Sequence, residues 1–220
     1  MLLTNAASVV TGFSMYAQAL IVPQLLELPK ATGYGLGQSL QAAGLWIAPS
    51  GFMMMAVSPL GAKISARRGP KFTLSLGGLV SALGYGLSIG LMGTTWGLVI
   101  VTCVCNVGVA LAYGAMPALI MSAVPLSETA SANSFNTLMR SIGTAVAATV
   151  VGLVLAHMTI DFGGYALPSK SGFRVGMLIG CAVALLAAAV AATIPTRQAA
   201  APSAEPVDAV AADAPSAATA

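Results

Sequence analysis

The sequence predicts an all-α membrane protein with six transmembrane helices, and three observations support that class. Apolar residues make up 57% of the 220 residues and charged residues only 7%, and the mean hydropathy is +0.89. Soluble domains carry roughly 25% charged residues, so this chain has too few charges to cover a water-exposed surface. The apolar residues fall into six segments long enough to cross a bilayer. Four of the nine basic residues lie together between two of these segments.

The boundaries of the spans follow from the apolar segments and from the turn residues that separate them. The spans are predicted at about residues 2–26, 38–64, 72–92, 97–123, 129–158 and 173–194. Together they form one transmembrane domain over residues 1–194. Residues 195–220 are rich in Ala and Pro, and this composition predicts a disordered cytoplasmic tail.

The basic cluster sets the predicted topology. Lys63, Arg67, Arg68 and Lys71 lie in a short connection between the second and third spans. Because Lys and Arg are translocated reluctantly, this connection is expected on the cytoplasmic face of the cell membrane. An even number of spans then places both termini of this multi-pass protein in the cytoplasm. Elsewhere the bias of basic residues is small, so the orientation depends on the cluster.

Polar residues recur at helical spacing in the first and fourth spans, and such spacing places them close to one face of each helix. They are Asn5, Ser8, Thr11 and Gln18 in the first span and Thr102, Asn106 and Tyr113 in the fourth. A stripe that includes Asn and Gln favours a water-facing wall. The candidates for lining a substrate cavity are Ser8, Thr11, Gln18, Asn106 and Tyr113. The alternative is hydrogen bonding to the backbone or to neighbouring helices.

The fifth span carries a charge well inside an apolar segment. Asn133, Asn136, Thr137, Arg140 and Thr144 share one face of this predicted helix. Arg140 lies about 16 Å along the helix from its start. An intramembrane charge costs several kcal/mol unless it is paired or hydrated, which makes Arg140 a candidate functional residue. With Asn133, Asn136 and Thr144, it is a candidate for lining the substrate cavity. The alternative is an arginine that reaches the inner headgroups with its long side chain.

The remaining features indicate packing or exclude classes of function. Gly86 and Gly90 in the third span form a pair of small residues that predicts close approach of two helices. The net charge of +3 is too small and too localised for nucleic-acid binding. The three cysteines, Cys103, Cys105 and Cys181, lie inside spans and are interpreted as small buried residues. No metal site, cofactor or enzymatic activity is predicted, and the sequence has no Gly-x-Ser-Gly motif of an intramembrane serine protease.

Two stretches resemble the major facilitator superfamily, in particular its drug:proton antiporters. The basic connection is similar to the loop motif of the superfamily, with Arg67, Gly69 and Lys71 matching, Ala62 in place of the motif Gly and Ala66 in place of its Asp. The second stretch runs from residue 124 to 143 and resembles the penultimate helix of multidrug exporters. Its most specific part is the run of Asn136, Arg140 and Gly143.

The resemblance implies a fold and a function. The six spans would be the C-terminal six-helix half of the superfamily fold, in which the first and fourth helices line a central cavity, the second and fifth flank it, and the third and sixth face lipid. The chain would belong to a secondary active transporter for proton-coupled efflux of small molecules or drugs by alternating access. Its partners would be the lipid bilayer, a small-molecule substrate, and an N-terminal domain or second chain that completes the transporter.

Other interpretations remain open from the sequence. The chain is expected to be a fragment, a truncated reading frame or one half of a split transporter. A non-transporting membrane scaffold or a decayed transporter is the alternative function. No Asp or Glu lies inside a predicted span, so this chain alone is not expected to couple protons to transport.

Overall fold

The computed structural model describes residues 2–122 and 124–194, which form six long helices and one β-hairpin. The helices are α1 (Leu2–Glu27), α2 (Leu40–Arg68), α3 (Pro70–Leu91), α4 (Thr95–Met121), α5 (Thr129–His157) and α6 (Lys170–Thr193). All six are long and apolar enough to cross a membrane. The predicted all-α fold with six spanning helices is therefore confirmed. The predicted disordered tail, residues 195–220, lies outside the described residues.

The largest difference from the predicted spans lies at the basic cluster. The sequence predicted a loop of several residues there, but α2 continues through Arg68 and only Gly69 separates it from α3. Gly69 has φ 88° and ψ 149°, a conformation that is essentially restricted to glycine. Pro70 follows as the first residue of α3. Proline is suited to this position, because the first N–H groups of a helix have no partner within the helix. Lys63, Arg67 and Arg68 therefore lie on the last turns of α2.

The second difference concerns the connection between α5 and α6. The predicted spans leave residues 159–172 as a loop, but these residues contain the antiparallel strands β1 (Thr159–Phe162) and β2 (Tyr165–Pro168). Gly163 and Gly164 join the strands, both with positive φ, as a two-residue hairpin turn requires. The Tyr34 hydroxyl donates a hydrogen bond of 2.5 Å to the Pro168 carbonyl. This bond ties the hairpin to the connection between α1 and α2.

The helices pack in two groups that meet in the middle of the bundle. α1 packs against α5 and α6, α4 packs against α2 and α3, and α3 lies beside α6. α1 and α4 are the most buried of the six helices, whereas α2 and α5 are the most exposed. The two helices that carry the polar stripes are thus central, and α2 and α5 flank them.

Glycines bring the helix backbones close together, but they are not the pair that the sequence singled out. A methyl group at Gly77 of α3 would lie 2.6 Å from the Gly108 carbonyl of α4. A methyl group at Gly78 would lie 2.8 Å from the backbone of Ala188 on α6. Gly86 and Gly90 have open space at this position. The prediction of close packing at Gly86 and Gly90 was wrong, because both lie on a face of α3 that no described helix covers.

Candidate functional site

A buried hydrogen-bond network joins α5 to α1. The Asn136 amide donates to the Ser8 hydroxyl at 2.5 Å and to the Asn5 side-chain oxygen at 3.2 Å. The Ser8 hydroxyl donates in turn to the Thr4 carbonyl at 3.0 Å. Ser8 is fully buried and Asn136 is 2% exposed. The network therefore holds two helices together, with Ser8 and Asn136 buried and Asn5 half-buried at its edge.

Two glycines allow α1 and α5 to approach each other around this network. The Cβ of an alanine at Gly143 of α5 would collide with the Val9 carbonyl of α1. The Cβ of an alanine at Gly12 of α1 would collide with the Arg140 carbonyl and would meet Arg140 Cγ at 3.0 Å. The stem of the Arg140 side chain thus lies across Gly12. Only a residue without a side chain leaves this space.

The Arg140 guanidinium stacks on an aromatic ring of α4. Its Cζ lies 5.0 Å from the centroid of the Tyr113 ring, within the range of a cation–π contact. The Tyr113 hydroxyl donates to the Met15 sulfur of α1 at 2.9 Å. Arg140 and Tyr113 are both half-buried. Residues of α1, α4 and α5 therefore position one charge inside the membrane-spanning part of the bundle.

A second pair of polar side chains joins α1 to α4. The Gln18 amide donates to the Asn106 side-chain oxygen at 3.0 Å. Both residues border a cavity of about 180 Å³, together with Ser50 of α2 and Thr102 of α4. The Tyr85 hydroxyl of α3 accepts from the Gln18 backbone N–H and donates to the Ser14 carbonyl. Tyr85 thereby holds the turn of α1 that carries Gln18.

A large open groove lies between α2 and α4. Its volume is about 920 Å³, and Tyr113 forms part of its wall. The other lining residues are mostly apolar or small: Gly51, Met54, Met55, Ser58, Pro59, Ala62, Ser65, Ala66, Gly114, Pro117, Ala118 and Met121. Ala62 and Ala66 of the loop motif are thus groove residues. Arg67 is exposed at the end of α2, Gly69 forms the joint and Lys71 lies on the first turn of α3.

The predicted cavity residues separate into four groups. Tyr113 and Arg140 lie together beside the groove, and Gln18 and Asn106 lie together at the smaller cavity. Asn133 is exposed on α5, and Thr144 donates to the Ser141 carbonyl of its own helix at 2.7 Å.

Ser8, Thr11 and Asn136 do not form a water-facing wall. All three are at most 6% exposed, and Thr11 donates to the Ala7 carbonyl of its own helix at 2.7 Å. Their contacts fit the alternative interpretation, hydrogen bonding to the backbone and to neighbouring helices.

Sequence reasoning missed the residues that position Arg140. Gly12 and Met15 were not predicted to be functional. Tyr113 was predicted to line a cavity, but its ring was not predicted to contact Arg140. Gly12 and Met15 lie three residues apart on α1, and nothing in this spacing indicates that they contact another helix. Pairing across helices depends on their relative rotation, which periodicity within one helix does not contain.

Comparison with known proteins identifies the family. A search of curated proteins finds no match to the chain. The family model described as Major Facilitator Superfamily matches residues 4–216, which is nearly the whole sequence. Members of this family are membrane transporters, and the six apolar helices described above fit one half of its fold. The chain therefore belongs to the Major Facilitator Superfamily.

Proposed function

We propose that the six helices act as one half of a secondary active exporter of small molecules, facing a second six-helix unit across a shared substrate path. Transport would proceed by rocking of the two units around that path, as alternating access requires. The side formed by α2, α4 and α5 would face the path. The chain would work in the cell membrane with both termini in the cytoplasm.

The position of Arg140 carries this proposal. The residue is eleven positions after Thr129, the first residue of α5, which places it about 16 Å along the helix. Its stacking partner Tyr113 is eight positions before the end of α4, about 12 Å from the same side of the bundle. A half-exposed charge at this depth is strongly unfavourable against lipid chains. The face of α5 that carries Arg140 is therefore expected to meet water or protein.

The opposite face of α5 has the composition of a lipid-facing surface. Leu138, Ile142 and Val146 are exposed there. Ile142 is two residues from Arg140, a rotation of about 200° around the helix. One face of α5 thus suits lipid and the other suits a hydrated path, a division that a transporter half needs and a helix surrounded by lipid does not.

The finer assignment to proton-coupled drug efflux is supported by the two stretches that resemble drug:proton antiporters. The described spans contain no Asp or Glu apart from Glu27 at the end of α1. The carboxyl group that carries the proton would therefore come from the second unit. Substrate would enter the groove between α2 and α4, whose volume suits a drug-sized ligand.

Export from cells that naturally carry this chain tests the proposal. Disruption of its coding sequence is expected to raise the accumulation of fluorescent organic dyes, and reintroduction of the chain is expected to reverse this. Complementation would then use two single-cysteine variants in which Cys103, Cys105 and Cys181 are replaced. A membrane-impermeant thiol reagent should block export through Thr144→Cys, on the path face, and leave export through the matched control Ile142→Cys unchanged.

Two results would contradict the proposal. Unchanged dye accumulation after disruption would show that the chain does not export these molecules, as a non-transporting scaffold would behave. An equal effect of the reagent on export through the two variants would show that α5 does not divide into a hydrated face and a lipid-facing face.

A further inference from the structure

We propose that the Arg140–Tyr113 pair recognises the anionic group of an amphipathic substrate, and that the substrate class of this transporter is therefore organic anions with an apolar body. The inference rests on the proposed function above and specifies the charge of its substrate. It depends on the charge balance around Arg140, the geometry of its side chain and the lining of the adjacent groove.

The first step is that Arg140 has no opposite charge in the described part of the chain. The acidic residues there are Glu27, Glu128 and Asp161, which lie at helix ends or in the hairpin. The Tyr113 ring contributes about 0.5–2 kcal/mol to a cation near its face. An arginine at the centre of a transmembrane helix costs at least about 2.5–3.5 kcal/mol. The ring alone therefore does not compensate the charge, and an anion would.

The second step is that the guanidinium is held in place with its hydrogen-bond donors available. Its stem lies against Gly12, and its Cζ lies over the Tyr113 ring, whose hydroxyl donates to the Met15 sulfur. A cation–π contact uses the charge of the guanidinium and none of its N–H groups as hydrogen-bond donors to an oxygen. Two parallel donors on that edge match the two oxygens of a carboxylate or sulfonate. The arrangement is thus prepared for an oxyanion.

The third step is that the neighbouring groove accommodates an apolar body. Tyr113 belongs both to the pair and to the wall of the 920 Å³ groove. Met54, Met55, Pro59 and Pro117 supply adaptable or rigid apolar surface in the same wall. A small polyhydroxylated anion would leave this surface without a partner. An aromatic or aliphatic group attached to the oxyanion would cover it.

Binding of three probes with the same apolar body tests the inference. The full chain would be placed in nanodiscs of zwitterionic lipid and titrated calorimetrically with naphthalene-2-sulfonate, naphthalene-2-methanol and naphthalen-2-ylmethylammonium. Hydrogen bonds to a charged group contribute about 1.5–3 kcal/mol, which corresponds to about 10–100-fold in affinity. The sulfonate is expected to bind that much more tightly than the ammonium, with the alcohol between them.

Variants locate the effect. Arg140→Ala should weaken sulfonate binding by about 10–100-fold and leave the affinity for the alcohol unchanged, because the groove remains. Arg140→Lys keeps the charge but loses the planar fork of donors, so an intermediate loss is expected. It also retains a measurable readout if the alanine variant fails to insert. Arg68→Ala is the matched control, since Arg68 stacks at 5.3 Å on the Phe72 ring at the joint between α2 and α3, outside the groove lining.

The outcomes separate the inference from the proposed function. If the three probes bind equally well, or if sulfonate affinity survives unchanged in Arg140→Ala or Arg140→Lys, the anion site is refuted while the groove remains a binding site. If Arg68→Ala weakens sulfonate binding as much as Arg140→Ala, general attraction by positive charge explains the preference and the inference is overturned. If none of the probes binds, both the anion site and the groove as substrate site are rejected.

Discussion

At the scale of single residues, α1 and α5 approach each other closely because a glycine at their contact has no side chain. Gly143 faces the Val9 carbonyl so closely that a methyl group has no space. The same seam contains the buried hydrogen bonds of Asn136 to Ser8 and Asn5. Interhelical hydrogen bonds in membranes contribute about 0.6 kcal/mol on average, so close packing and these bonds must act together.

Gly143→Ala is expected to destabilise the folded protein by about 1–3 kcal/mol, because overpacking a tight contact forces the backbones apart. Gly152→Ala on the same helix is the control, since a methyl group there meets open space. This control should be neutral or stabilising by up to about 1 kcal/mol through its higher helix propensity. Thermal unfolding in detergent measures both variants. Equal stability of the two would show that the seam is not tightly packed.

Arg140 could be singled out from the sequence, because the depth of a charge within an apolar segment is a property of one helix. Its contacts were not predictable in the same way. The Tyr113 ring and Gly12 come from α4 and α1, and their meeting depends on helix rotation and tilt. The same reason explains Gly86 and Gly90: spacing showed that two small residues share a face, but not whether another helix lies there.

At the scale of elements, the presence of the six helices was predictable from the sequence, whereas the structure of the connections between them was not. Each of the six apolar segments lies on one helix, since an apolar segment of this length needs internal hydrogen bonds in a bilayer. The joint between α2 and α3 depends on the backbone conformation of Gly69 alone, and charged residues adjacent to it continue the helix. The hairpin of β1 and β2 has only four residues in each strand, too few for a clear alternation of polar and apolar residues.

The predicted orientation of these elements can be measured by thiol labelling in intact cells. In a background without native cysteines, Tyr165→Cys is placed on the exposed hairpin and Ala66→Cys near the exposed end of α2. Both substitutions leave the basic cluster unchanged. An impermeant reagent added from outside should modify residue 165 and not residue 66, because the basic cluster is expected in the cytoplasm. Labelling of residue 66 alone would reverse the topology.

At the scale of the whole molecule, polar and charged residues are distributed unevenly between the central and the exposed helices. The central helices α1 and α4 contribute the Gln18–Asn106 pair, α2 and α4 together form the groove wall, and the exposed helix α5 contributes the intramembrane charge. In a proton-coupled transporter a group inside the membrane must also gain and lose a proton during the cycle. The described spans offer no carboxylate for this apart from Glu27 at the very end of α1.

The last prediction therefore concerns energy coupling. Purified and reconstituted by itself in liposomes, the chain is expected to show no uptake of organic dyes when a pH gradient is imposed. The physical reason is that the described helices contain no carboxylate away from a helix end and form no second wall for the path. Fluorescence of dye trapped inside the liposomes measures uptake, and empty liposomes with the same gradient are the control. Uptake that follows the gradient in both directions would contradict the prediction, and would require a proton carrier other than a carboxylate within these six helices.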